Sequence, residues 1–180
     1  LAFSPANGNL LDETNLNTVK KLRDDLTAVE HVKSVLTILN VPLLKNPPAP
    51  ISEIKGNIKT LTSPNVDMQL AAKELRHSPL YRRLLVSPDL TATALRIDLK
   101  TDEKMWELLK QRTRLRDKKK EQGLTPAETE ELAAVKKAYN HLQKQNAADR
   151  HQAVSDIRQV MRSYEAEGKL FLGGASMIAD

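Results

Sequence analysis

The chain has 180 residues, 40% hydrophobic and 28% charged, with a formal net charge of +5; that is enough apolar material for a buried core and excludes a disordered polypeptide. Aromatic residues are only 3%, so the core must be built from Leu, Val, Ile and Ala. The absence of cysteine excludes a disulfide framework, a thiolate metal site and a cysteine nucleophile, and no apolar run approaches the roughly 20 residues of a membrane-crossing helix.

Leu1 to Ser4 reads as a strand, and this start lacks the basic flank and long apolar stretch of a secretory signal. Together with the abrupt end at Met177-Ile178-Ala179-Asp180 it suggests a piece of a longer protein. A helix is expected to start at Asp12, whose carboxylate can accept the free amides of the first turn. Leu16, Val19, Leu22, Leu26 and Val29 then form one apolar stripe at helical spacing. The β-branched run from His31 to Leu39 predicts a second strand. Pro42, Pro47, Pro48 and Pro50 remove backbone donors and predict a loop over 41–52. Ile51, Ile54, Ile58 and Leu61 predict a weak helix, and a short one is expected from Val66 to Arg76. Leu84-Leu85-Val86 and Thr91 to Leu99, flanking Ser87-Pro88-Asp89, look like a hairpin with Leu95, Ile97 and Leu99 on one face.

An inserted antiparallel helical hairpin is expected over 104–147, turning at Gly123, with arms of about 20 residues or roughly 30 Å. Thr125-Pro126-Ala127-Glu128 states the start of the second arm: Thr125 caps, Pro126 needs no amide donor, and Glu128 closes the capping box. Leu132, Val135, Tyr139 and Leu142 continue it as a seam. Val154, Ile157, Met161 and Tyr164 form a stripe out of step with that seam, which predicts a bend, a break or a different buried face. Leu170-Phe171-Leu172 predicts the last strand, before Gly173-Gly174. With the insertions set aside, the order is strand, helix, strand, strand, helix, strand. That predicts an α+β fold: a split β-α-β, ferredoxin-like and porter-type sheet with helices on one face, in a single domain over 1–180.

Residues for catalysis are not found. His31, His77, His141 and His151 lie in no metal-ligand spacing, Ser87 and Ser176 sit in no nucleophile elbow, and no Gly-rich phosphate loop is present. The expectation is a non-enzyme with no catalytic, cofactor-binding or metal-binding residues. One cluster asks for a partner: Lys110, Arg112, Arg114, Arg116, Lys118, Lys119 and Lys120, at the end of the first hairpin arm. Cations there suit the helix dipole. Beyond that they would meet phosphate, on an anionic surface or on nucleic acid. Nucleic acid is the less favoured partner, because no aromatic side chain stands beside the cluster for stacking, and Trp106 is expected to pack at the hairpin base. An interaction module with a basic hairpin is the alternative reading to the one below.

Three separated blocks carry a resemblance. Val32-Lys33-Ser34-Val35-Leu36-Thr37-Ile38-Leu39-Asn40-Val41-Pro42 resembles the second strand and following loop of resistance–nodulation–division superfamily exporters, in the hydrophobe/amphiphile efflux branch. Ser78-Pro79-Leu80-Tyr81-Arg82-Arg83-Leu84-Leu85-Val86-Ser87-Pro88-Asp89 is similar to that family's hairpin. Leu172-Gly173-Gly174-Ala175-Ser176-Met177-Ile178-Ala179-Asp180 looks like the strand shortly before its second membrane helix. The likeness covers nearly the whole chain apart from residues 104–147. It implies the first extracytoplasmic loop domain of a proton-driven exporter, on the periplasmic side of a bacterial inner membrane. The implied partners are the membrane part of the same polypeptide, further copies in a homo-oligomer, and a lipid or other hydrophobic substrate.

Overall fold

A computed structural model describes residues 1–45 and 59–174. The chain is α+β, with small antiparallel sheets, and falls into two compact units: Leu1–Leu99 with Ser155–Asp180, and Lys100–Val154.

In the first unit, β1 (Ala2–Pro5) leads through a loop into α1 (Glu13–Ala28). Asp12 caps α1 by accepting the amide of Thr14. The stripe expected from spacing is the buried face, with Val19, Leu22 and Leu26 fully inaccessible. Buried Asn15 fastens the preceding loop, its amide nitrogen donating to Asn7 Oδ1 and to the Asn9 carbonyl, both at 2.6 Å.

The second strand, β2, covers only Val32–Leu36, not the run to Leu39. Asn40 explains the shortening. Its side chain accepts the Thr37 amide at 2.7 Å and donates to the Val35 carbonyl at 3.1 Å, while Thr37 Oγ1 accepts the Leu39 amide. These local bonds draw the backbone out of the ladder. Residues 46–58, which include most of the expected Pro-rich loop and weak helix, lie outside the described residues. Leu43 meets Lys59 in an isolated antiparallel bridge, so the end of the expected 51–61 helix is extended chain followed by turns. Next comes α2 (Met68–His77), capped by Asp67 and closed before Ser78-Pro79. Its Glu74 is buried, yet both carboxylate oxygens are used, accepting the amides of Leu44 and Lys45 at 2.7 and 2.9 Å.

The expected hairpin reduces to one antiparallel bridge, Val86 to Thr93, with the Ala94 amide donating to the Leu85 carbonyl. The reason lies in the second arm, which is shared between two sheets. β3 (Thr93–Ala94) pairs with β1, and β4 (Arg96–Leu99) pairs with β2. Between them Leu95 is 1% exposed, and its backbone exchanges two hydrogen bonds with Leu1, at 2.7 and 2.9 Å. β5 (Gly168–Phe171) closes the other side of β1, with Ala2 opposite Phe171 and Pro5 opposite Gly168. The sheets are thus β3-β1-β5 and β2-β4, with every pairing antiparallel. Phe3, Leu10, Leu75, Leu95 and Ile157 belong to the one core that serves this unit.

The second unit is built from α3 (Glu103–Glu121) and most of α4 (Pro126–Arg162). The capping box forms as expected: Thr125 Oγ1 accepts the Glu128 amide, and Glu128 Oε2 accepts the Thr125 amide. Gly123 turns the chain at φ +79°, where a side chain would be strained. The second arm is longer than expected, because α4 runs 37 residues without a break. The out-of-step stripe is therefore a change of buried face along one helix. Leu132 and Val135 are buried in the second unit, whereas Ile157 joins the core of the first.

Candidate functional site

All seven cations of the basic cluster lie on α3, but they do not share one role. Arg112 is drawn into the hairpin, its guanidinium 4.1 Å from the centroid of the Tyr139 ring. Its Nε is buried and without a hydrogen-bond partner, a cost offset by the cation–π contact. Lys118 pairs with Glu128, and Lys120 lies 4.0 Å from Asp117 one turn away. Lys110, Arg114, Arg116 and Lys119 are exposed and make no ion pair among the described residues. Three of the seven, Lys118, Lys119 and Lys120, lie in the last turn of α3 and favour the helix through its dipole.

The packing that consumes Arg112 and Lys118 also sets the pairing of the arms. Met105 meets Asn146, Arg112 meets Tyr139 and Lys118 meets Glu128, so the order reverses as an antiparallel pair requires. Leu115, Leu132 and Val135 are the buried positions between these contacts. The Lys118 hydrogen bond, and then the Thr125 amide, hold the Glu128 carboxyl at about 2, down from its usual 4.5. A carboxylate depressed on folding stabilises fully above its unfolded value and loses that contribution as pH falls toward the folded one. The thermal midpoint of the hairpin should therefore drop as pH falls from about 5 to about 2. In Glu128→Gln the drop should be smaller, as read by circular dichroism across that range.

Trp106 is not packed at the hairpin base as expected: it is 58% exposed. Its neighbours one turn or less away on α3 include Glu103, Glu107 and Lys110, so the ring stands in mixed charge and not on a cationic platform for bases. On α4, Lys137, Asn140, His141 and Lys144 line a shallow depression; their spacing of three and four places them along one helix face. Overall the second unit holds thirteen Lys and Arg against nine Asp and Glu, so most of the net positive charge resides there.

The four histidines are dispersed. His31 sits at φ +67° beside Glu30, the His77 ring contacts the Lys73 carbonyl, and His141 and His151 are exposed on α4. Among the described residues no group of three or more His, Asp or Glu is placed to hold a metal ion, and no helix is long and apolar enough to cross a membrane. Ser87 is engaged in its turn, its Oγ accepting the amides of Thr91 and Ala92 at 3.0 Å. Ser176 lies outside the described residues.

Compared with known proteins, the chain matches no family model, no curated protein and no solved structure.

Proposed function

We propose that the chain is the extracytoplasmic loop domain of a resistance–nodulation–division superfamily exporter, contributing substrate path and subunit contacts for the efflux of hydrophobic or amphiphilic molecules. One observation carries the reading. A single residue, Leu95, separates β3 from β4. Taken as one kinked strand, they give a sheet order of β5, β1, β3/β4, β2 with all neighbours antiparallel. That is the order of the split β-α-β plan expected of a ferredoxin-like, porter-type domain. α1 fills the first helical position, and Ser155 to Arg162 of α4 fill the second. The same order makes the first and last strands neighbours, with Ala2 opposite Phe171, so such a body can be looped out from a longer chain.

The domain takes no part in proton coupling, which belongs to membrane helices of the same polypeptide. It is placed on the periplasmic side of a bacterial inner membrane, among further copies of itself. The test is side-specific labelling of introduced thiols in the full-length protein in intact cells. A reagent that crosses the outer but not the inner membrane should reach them; protection from that reagent would refute the placement.

A further inference from the structure

Exposed apolar side chains and unpaired cations converge in one short segment of the first unit, from Arg76 to Leu84. α2 ends at His77, and the chain then folds into a tight knot of backbone bonds. The Ser78 carbonyl accepts the amides of Tyr81 and Arg82, and the Tyr81 carbonyl accepts those of Leu84, Leu85 and Val86. Arg83 donates to the Val86 carbonyl at 2.9 Å and is held at φ +65°, a strained conformation for a residue with a side chain. Tyr81, Leu85 and Val86 are buried anchors, and the Tyr81 hydroxyl donates to the Pro42 carbonyl.

A loop whose backbone is satisfied and whose anchors are buried does not need to expose leucine. Yet Leu80 and Leu84 are 60% and 67% exposed. Arg76, Arg82 and Arg83 beside them are exposed too, and among the described residues none of the three is in an ion pair. From Leu75 to Pro88 the sequence has no carboxylate. Of the flanking acids, Glu74 is buried on the Leu44 and Lys45 amides, and Asp89 is held in its own turn by the Thr91 hydroxyl at 2.9 Å.

We propose that Arg76–Leu84 is a docking surface for an anionic phospholipid headgroup layer. Leu80 and Leu84 enter the boundary between headgroups and acyl chains, and the guanidinium groups pair with lipid phosphates, whose geometry suits their paired donors. The preformed loop lowers the ordering cost of that contact. A nucleic acid fits less well, because Tyr81 is buried and cannot stack on a base, and the other ring of the segment, His77, is held against the Lys73 carbonyl. This inference stands on the loop and does not rest on the exporter reading.

Because the chain has no cysteine, Leu84→Cys provides a single site for an environment-sensitive dye. Adding mixed phosphatidylcholine–phosphatidylglycerol vesicles should blue-shift and brighten its emission, while pure phosphatidylcholine vesicles should do so far less, and added salt should weaken the effect. Arg82→Gln with Arg83→Gln should weaken binding about thirtyfold. In flotation without a dye, Leu80→Ser with Leu84→Ser should reduce vesicle-bound protein, with the helical dichroism of all variants unchanged. No shift with anionic vesicles would overturn the proposal, as would equal binding to neutral ones or indifference to the arginine substitutions. A shift that follows protein concentration without lipid would assign the loop to contacts between copies instead. A shift produced by oligonucleotides and not by vesicles would assign it to nucleic acid.

Discussion

Replacing Gly168 by alanine should destabilise the first unit by about 3 kcal/mol or more, with loss of β5 pairing. A Cβ at this position would lie 2.3 Å from the Ser4 carbonyl oxygen and 2.9 Å from Pro5 Cα. Both are backbone atoms of the hydrogen-bonded neighbour strand, so relief requires the strands to part and not merely a side chain to swing. Gly173→Ala is the control, because nothing lies within 4 Å of its Cβ, and its effect should stay within about 0.5 kcal/mol. Urea denaturation of both variants decides this: a Gly168→Ala midpoint as close to the parent's as that of Gly173→Ala would show that β5 is not seated on β1.

Leu95→Ala should be the costliest of the large-to-small changes in the 91–99 segment, at about 3 to 4 kcal/mol. The side chain is 1% exposed in the shared core, and its backbone is tied to Leu1 in both directions. Removing its three outer carbons therefore leaves a cavity where β3 gives way to β4 and the surroundings have least freedom to collapse. Leu99→Ala, at the half-buried end of β4, should cost clearly less. The two differ in the midpoint of denaturation with little change in its slope, as expected for a loss of packing without a change in the surface exposed. Equal costs would show that Leu95 is not the pivot between the two sheets.

What the sequence disclosed was chemistry that acts within a few residues. The Asp12 cap, the α1 stripe, the stop of α2 before Ser78-Pro79 and the Thr125–Glu128 capping box all formed where spacing placed them. Each depends on neighbours within one or two helical turns. What it hid was decided at long range. The 91–99 run alternates like one strand, but its two halves are claimed by β1 and β2, which lie far away in sequence. Asn40 ends β2 through bonds to Val35 and Thr37 that no propensity registers.

The candidate surface was legible in kind more than in place. The seven cations on α3 were visible as a cluster, but not that Tyr139 takes Arg112 or that Glu128 takes Lys118. The positions of Tyr139 and Glu128 in the opposite arm were available clues, since antiparallel arms turning at Gly123 bring those residues level. Trp106 shows another limit: it was expected to pack at the hairpin base and is exposed. For Arg76–Leu84 the spacing placed a helix end at Arg76 and a hairpin arm from Leu84, whereas the exposure of Leu80 and Leu84 depends on which residues the fold buries as anchors.

Thiol labelling in the full-length protein most directly tests the placement on which the functional reading depends. Thr27→Cys on α1 and Thr113→Cys on α3 put one exposed thiol on each unit, and Ala71→Cys puts a buried one in the core. In intact cells, a maleimide excluded by the inner membrane should modify Cys at 27 and at 113 at once, and at 71 only after denaturation. If both exposed positions stay unmodified until the inner membrane is permeabilised, the domain faces the cytoplasm and the exporter account is wrong.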